Sequence, residues 1–428
     1  MDSHKLAFVA YYTKNNRYSF NAVIGALECH EIGNQTDIYY VANKMELVTK
    51  LKELIIKYQK VVLGISFFTT QVWKIYELVQ LLRTNFAEEL IIIAGGPHPT
   101  GEPRRTLKMG FDVVIIGEGE ESLPEVLEKI EENGEYGEVK GIAYFTDQGE
   151  YISTGKRERI DLNKYPPFPL QNQRFGPIEI TRGCPYVCYF CQTSFILGTR
   201  PRHRSIESIC KYVRLMKREN LTDIRFVTPN AFSYGSPDGK TLDLSKLETL
   251  LKSIKEIISP NGRIFLGSFP SEVRPEHVTE ETISLIKNYA SNDNIIIGAQ
   301  SGSQKILDLC HRGHTVEDVY SAVEITIKNG LKANVDFIFG LPHETDKDIQ
   351  STIKMMKDLV KMGARIHTHS FIPLPQTPFS TNKVKKISTK IKKTVSSFTA
   401  TGQAFGEFEK QEKLAKKIYK YLKNGKIK

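Results

Sequence analysis

The sequence predicts an α/β chain of two unlike halves, a doubly wound parallel sheet in front and an incomplete parallel barrel behind. Three observations carry that prediction. Short apolar runs alternate with amphipathic stretches through the first 135 residues. From Ile178 onward the pattern becomes a series of strand–helix units. Between these regions, three of the six cysteines (Cys184, Cys188 and Cys191) fall within eight residues, directly after the first strand of the second half.

In the front half, residues 1–140, the apolar runs are Leu6–Tyr11, Ile38–Val41, Val61–Ile65, Leu90–Ala94 and Val113–Ile116. The stretch from Val72 to Leu82 is the clearest amphipathic helix, with apolar residues at 72, 75, 76, 79 and 82. Five buried strands joined by helical crossovers make a parallel, doubly wound sheet, whose ligands sit beyond the carboxyl ends of the strands. Those ends are Gly64–Thr69, Gly95-Gly96-Pro97-His98 and Gly117-Glu118-Gly119-Glu120, each with a glycine where backbone must approach a ligand closely.

Residues 141–175 read as a linker. Gly141–Phe145 and Tyr151–Ser153 flank a hairpin turn at Asp147-Gln148-Gly149, and Tyr165-Pro166-Pro167-Phe168-Pro169 reads as extended polyproline chain.

Residues 176–380 carry six strand candidates: Pro177–Thr181, Ile224–Thr228, Ile264–Phe269, Ile295–Ala299, Ala333–Phe339 and Ile366–Phe371. The helices between them include Val316–Ile327 and Ile349–Val360, with Thr315 and Thr345 as N-caps and Gly330 and Gly363 as terminators. Six such units make a partial (β/α)6 TIM-type barrel, whose functional residues gather at the strands' C-terminal ends.

The cysteines are spaced C-x3-C-x2-C, and Gly183 lets the chain turn sharply before them. Three thiolates on one short loop suit a cubane iron–sulfur cluster, which takes four cysteines when complete. A zinc site also wants four ligands, and neither a second C-x2-C nor an H-x3-H lies nearby. The missing fourth ligand leaves one iron open to react. The alternatives are zinc binding or simple packing.

This loop resembles the radical S-adenosylmethionine superfamily, whose signature is C-x3-C-x-aromatic-C, with Phe190 as the aromatic. The resemblance implies a 4Fe–4S cluster on Cys184, Cys188 and Cys191 whose open iron chelates S-adenosylmethionine. It implies reductive cleavage to a 5′-deoxyadenosyl radical, fed by a reductant such as ferredoxin or flavodoxin. The stretch from Cys184 to Pro378 is similar to the catalytic barrel of the methylthiotransferases and their cobalamin-linked relatives. By that match Gln300, Ser301 and Gly340 contact S-adenosylmethionine or shape its pocket, and Asn230 reaches the methionyl end. Arg312 either pairs the carboxylate bidentately or is a surface arginine. No residue is assigned as a catalytic acid or base.

The front half resembles the cobalamin-binding domain that precedes many radical S-adenosylmethionine barrels. The family pattern is D-x-H-x-x-G, then S-x-L, then G-G; Ser66-Phe67-Phe68 followed by Gly95-Gly96 fits its last two elements. The resemblance implies corrin contacts at Ser66, Gly95, Gly96, His98, Gly117, Glu118 and Gly119, within a flavodoxin-like fold. Asn21 falls where the cobalt-ligating histidine would stand, so no lower imidazole ligand is expected; Asp2-Ser3-His4 lies too early in the chain to supply it. A domain that keeps the fold without the cofactor is the alternative.

Cys210 and Cys310 lie on apolar helical faces and are expected in the core. Cys29 stands without the two further cysteines that methylthiotransferases use for a second cluster. His367 and His369 share one strand face, either lining the barrel or lying under a helix.

Hydrophobic residues make up 40% and charged residues 25% of the 428, the balance of a globular chain without a membrane span or an export signal, hence a cytoplasmic protein. The net charge of +10 is compatible with nucleic acid but is equally accounted for by solubility. Residues 381–428 form a lysine-rich tail with one helical apolar face, short for an RNA-binding domain. The expected function is cobalamin-dependent radical chemistry that methylates or otherwise modifies a carbon centre. A methylthiotransferase-like tRNA-modifying enzyme and a non-catalytic iron–sulfur protein are the alternatives.

Overall fold

The computed structural model describes residues 5–425 and residue 427. The Asp2-Ser3-His4 triplet lies outside the described residues. Contacts divide the chain into two compact units, Met1–Gly176 with Gly425–Lys428, and Pro177–Asn424.

The first unit is built on a sheet of seven strands among the described residues. β1 (Leu6–Tyr11), β2 (Thr36–Val41), β3 (Lys60–Ser66), β4 (Leu90–Gly95) and β5 (Val113–Ile115) run parallel in the order β2-β1-β3-β4-β5. That is the flavodoxin-like order, with the chain reversing direction between β1 and β3. β1, β3 and β4 are apolar and almost wholly buried, as strands covered on both faces must be. The hairpin β6 (Ile142–Phe145) and β7 (Tyr151–Ser153) is not free linker: it extends the sheet antiparallel from β5. The proline-rich segment packs over helix Arg17–Leu27, where a Cβ on Gly25 would lie 2.9 Å from the Phe168 carbonyl carbon.

The second unit is a parallel barrel that does not close. β8 (Ile178–Glu179), β9 (Asp223–Val227) and β10 (Arg263–Phe265) form one sheet, and β11 (Asn294–Gln300), β12 (Lys332–Phe339), β13 (Arg365–Ser370) and β14 (Ala404–Gly406) another. An isolated bridge between Val273 and Ile297 and a bond from Ile296 N–H to the Gly267 carbonyl link them. Two expectations differ here. The third strand stops at Phe265 because its continuation leaves the sheet to lay Val273 beside Ile297. β14 adds a seventh strand from the tail, parallel to β13. The helices cap as their sequence requires: Thr315 and Thr345 accept from Asp318 and Asp348 backbone N–H groups in capping boxes.

Candidate active site

In the second unit, the cysteine loop leaves β8 through residues 181–182, which pair antiparallel with 202–203. Gly183 turns it at φ +91°, and a Cβ there would lie 2.4 Å from the Arg200 carbonyl oxygen, so only glycine fits. The loop is held by backbone at three points: Cys184 N–H donates to Gly198, Tyr189 N–H to Cys310, and Phe379 N–H to Tyr189. Tyr189 stacks on His311 at 5.5 Å. Tyr189 and Phe190 pack against a buried cluster that includes Cys310, Leu341 and Phe371.

Cys188 is buried, while Cys184 and Cys191 are half-buried. Burial pushes the Cys184 and Cys191 thiols up, a cost that metal ligation removes by replacing the proton. Among the described residues the three sulfurs do not converge as the donors of a single bound ion do. Thiols so placed suit a multinuclear cluster better than one zinc ion.

Arg312 is half-buried and not a free surface arginine. Its Nη1 points at Cys188 Sγ (3.6 Å) and its Nη2 donates to the Gly298 carbonyl (2.9 Å). This places a fixed positive charge beside the Cys188 sulfur. Arg274 lies over the Tyr186 ring, 3.3 Å from its centre, and bonds Glu276 and the Arg312 carbonyl. Asn230 does not face an open site. Its Nδ2 is 2.6 Å from His277 Nδ1 and its Oδ1 accepts from Arg274 N–H, so it positions Arg274.

The remaining strand-end loops lock together. Gln300, the last residue of β11, takes φ +71°, with its Nε2 beside Gly298 and the Arg312 guanidinium. Ser301 is buried with its hydroxyl accepting from Ser303 N–H. Gly302 packs onto helix Asp346–Lys361 so closely that a Cβ would lie 2.6 Å from Thr352 Cα. Ser303 donates to Asp348, the carboxylate that also caps that helix through Thr345. After β12, Gly340 N–H donates to the Glu344 carboxylate, which burial pushes up to about 7.

His367 and His369 lie on the inner face. Helices pack on the side of Val335, Phe337, Ile366 and Thr368, which are buried; the alternate residues Asp336, His367 and His369 are half-exposed towards the barrel interior. Sequence alternation put the two histidines on one face, while Asp336 was missed because it belongs to another strand. Cys210 and Cys310 are buried as expected.

In the first unit, the ends of β3, β4 and β5 bring Ser66, Gly95, Gly96, Gly117 and Gly119 together. Ser66 Oγ lies 2.7 Å from where a Gly96 Cβ would stand, and Gly117 N–H donates to Thr100. A Cβ on Gly95 or Gly117 meets nothing within 4 Å, which leaves open space above these strand ends. Two expected contacts point elsewhere. The His98 ring is wholly buried, bonded to Thr69 and packed on Phe67, and burial lowers its pKa to about 3. The Glu118 carboxylate turns to Arg159 and the Ile160 N–H. Asn21 is buried, accepting from Tyr12 OH and donating to the Arg174 carbonyl.

The geometry defines a class first: an α/β chain with a flavodoxin-like sheet and a partial parallel barrel that presents three cysteines after its first strand. Comparison with known proteins then gives two domain matches. The Radical SAM superfamily matches residues 178–356, and the B12 binding domain matches residues 18–127. The chain therefore carries a B12-binding domain followed by a radical SAM domain. An uncharacterised methyltransferase of Pyrococcus horikoshii is 25% identical over 72% of this chain and 66% of its own length. A putative methylthiotransferase of Methanocaldococcus jannaschii is 30% identical over 59% of this chain and 54% of its own. This chain thus spans about half to two thirds of these relatives. Among solved structures, the radical S-adenosylmethionine methyltransferase TsrM of Kitasatospora setae, with cobalamin and a [4Fe-4S] cluster bound, shares the fold. Its TM-score is 0.69 at 16% identity, over 89% of this chain and 74% of that one. Among the described residues no helix is long and apolar enough to cross a membrane.

Proposed function

We propose that this chain is a cobalamin-dependent radical S-adenosylmethionine enzyme that methylates, or otherwise modifies, a carbon centre of its substrate. The observation that carries the reading is the three-cysteine loop at the mouth of a partial barrel, in a chain that also carries a B12-binding domain. With their cofactors bound, the two units would supply a 5′-deoxyadenosyl radical and a methyl group.

Cys184, Cys188 and Cys191 hold three corners of the cluster, and Arg312 offsets the negative charge that builds there. Phe190, Gln300, Ser301 and Gly340 shape the S-adenosylmethionine pocket around it, with Asn230 acting at one remove through Arg274. The packed Tyr189 and Phe190 rings keep bulk water from the loop, where a radical has to be protected. Ser66, Gly95, Gly96, Gly117 and Gly119 form the corrin cradle in the first unit. His98 and Glu118 support its floor and rim. Asn21, which stands where the family's cobalt-ligating histidine would, has both amide groups in use and would offer a bound corrinoid no lower ligand. A ferredoxin- or flavodoxin-type protein supplies the electron.

Anaerobic reconstitution tests this. The expected result is about four irons per chain, as a cubane requires, with one corrinoid and release of 5′-deoxyadenosine from S-adenosylmethionine under dithionite. Cleavage without corrinoid binding would leave a cobalamin-free radical enzyme. The Methanocaldococcus relative favours a second reading, transfer of a methylthio group. Cys29, with no companion cysteine in its unit, offers no site for the second cluster that such enzymes hold. Product mass separates the two, since methylthiolation adds sulfur.

A further inference from the structure

We propose that Asp336, His367 and His369 form a second metal site inside the barrel, for one divalent first-row cation of the zinc type. It shares no residue with the cysteine loop. Strand register builds it: Asp336 on β12 is the direct partner of His367 on β13, and His369 follows two residues on along the same face. Asp336 Oδ1 lies 2.9 Å from His367 Nδ1 and 3.9 Å from His369 Nε2, and the two ring nitrogens are 3.1 Å apart.

Those three edges leave room for one first-row cation between them. A point equidistant from all three atoms in their plane lies about 2.0 Å from each, which is the length of a zinc–nitrogen or zinc–carboxylate bond. Hydrogen bonding serves the same atoms poorly. His367 Nδ1 faces both Asp336 and His369, yet a ring nitrogen carries either one proton or one lone pair and satisfies one of the two. The 3.9 Å edge is too long for a hydrogen bond. One cation satisfies all three donors at once.

The ligands are held before any ion arrives. The His367 ring stacks on Phe405, its register partner on β14, at 4.4 Å and 11°. Both histidines sit on regular strand, and all three residues are half-buried. Glu272, after the third strand, adds a carboxylate within electrostatic reach of the trio. Two histidines and one carboxylate with room left over make the donor set of a reactive metal centre, not of a closed structural one. The remaining coordination positions face the barrel interior, where a substrate oxygen or nitrogen can enter.

The site is measurable without any radical chemistry, so its failure and that of the proposed function are separate results. The full-length chain with Cys184, Cys188 and Cys191 replaced by Ala, which removes cluster absorbance, is stripped with chelator and titrated with Co2+. The expected result is one Co2+ per chain with visible ligand-field bands, displaced by one equivalent of Zn2+ and shifted by added azide. Asp336→Asn and His369→Gln, which keep side-chain size, should each weaken Co2+ binding more than 100-fold, beyond the cost of losing an outer-shell partner. Far-UV circular dichroism of each variant should match its parent. Co2+ binding that survives in both variants, or no stoichiometric binding in the parent, overturns the proposal.

Discussion

The strand ends of the two units solve different recognition problems. In the first unit the polar side chains are spent internally: His98 on Thr69, Asn21 on Tyr12 and Arg174, Glu118 on Arg159. What remains is backbone, glycine and open space. In the second unit charge stands in opposed pairs, Arg312 facing Cys188 and Arg274 with Glu276 on the loops beyond the strands, and Asp336 with His367 within them. A surface of the first kind holds a large ligand by shape. One of the second kind tunes what a ligand does. On the proposed reading, the cofactor that needs only orientation is held by the first unit, and the chemistry that needs potential and protonation control by the second.

The contrast breaks most sharply at the cysteines. Replacing Cys184, Cys188 and Cys191 together by Ala should abolish iron binding and S-adenosylmethionine cleavage completely, with corrinoid binding intact; iron analysis and optical spectra decide. The converse experiment is Gly95→Leu. Its added Cβ meets nothing within 4 Å, so the fold tolerates it while the side chain fills the cradle. Corrinoid affinity should fall at least about 100-fold, the loss expected when bulk replaces open space, with iron content and melting temperature unchanged.

Smaller effects sharpen the charge argument. Arg312→Met removes the cation beside Cys188 and should lower the cluster potential. The shift should be on the order of tens of millivolts, since about 59 mV corresponds to 1.4 kcal/mol for one electron. Redox titration followed by electron paramagnetic resonance measures it. A test on stability alone is Glu344, whose folded pKa of about 7 lies above the ordinary 4.5. The folded state then binds more protons between these values, so stability is greatest below pH 4.5, falls as pH rises towards 7 and levels off beyond. The span is about 3 kcal/mol, at 1.36 kcal/mol per pKa unit. Glu344→Gln should flatten the apoprotein's melting temperature across that window.

What was legible in the sequence follows from how local each cause is. The caps at Thr315 and Thr345 show because capping is settled within four residues, and the strands show because their period is two. Arg312 gave no sign of burial, because its partner Cys188 stands 124 residues earlier. Asn230 and Glu118 looked ligand-facing for the same reason: His277 and Arg159 claim them from 47 and 41 residues away. Ala404–Gly406 is too short to show a period and is a strand only because β13 has an edge to pair with. The side shared by His367 and His369 was visible, but which way it faced depended on the helices that cover the other.

The cysteine loop is anchored by backbone bonds to segments near residues 198, 310 and 379, none of which uses a sulfur. Its shape is therefore independent of what the sulfurs hold. If the cluster proposed here is lost to oxygen, these backbone anchors remain, so reassembly would need iron, sulfide and electrons but no refolding of the loop.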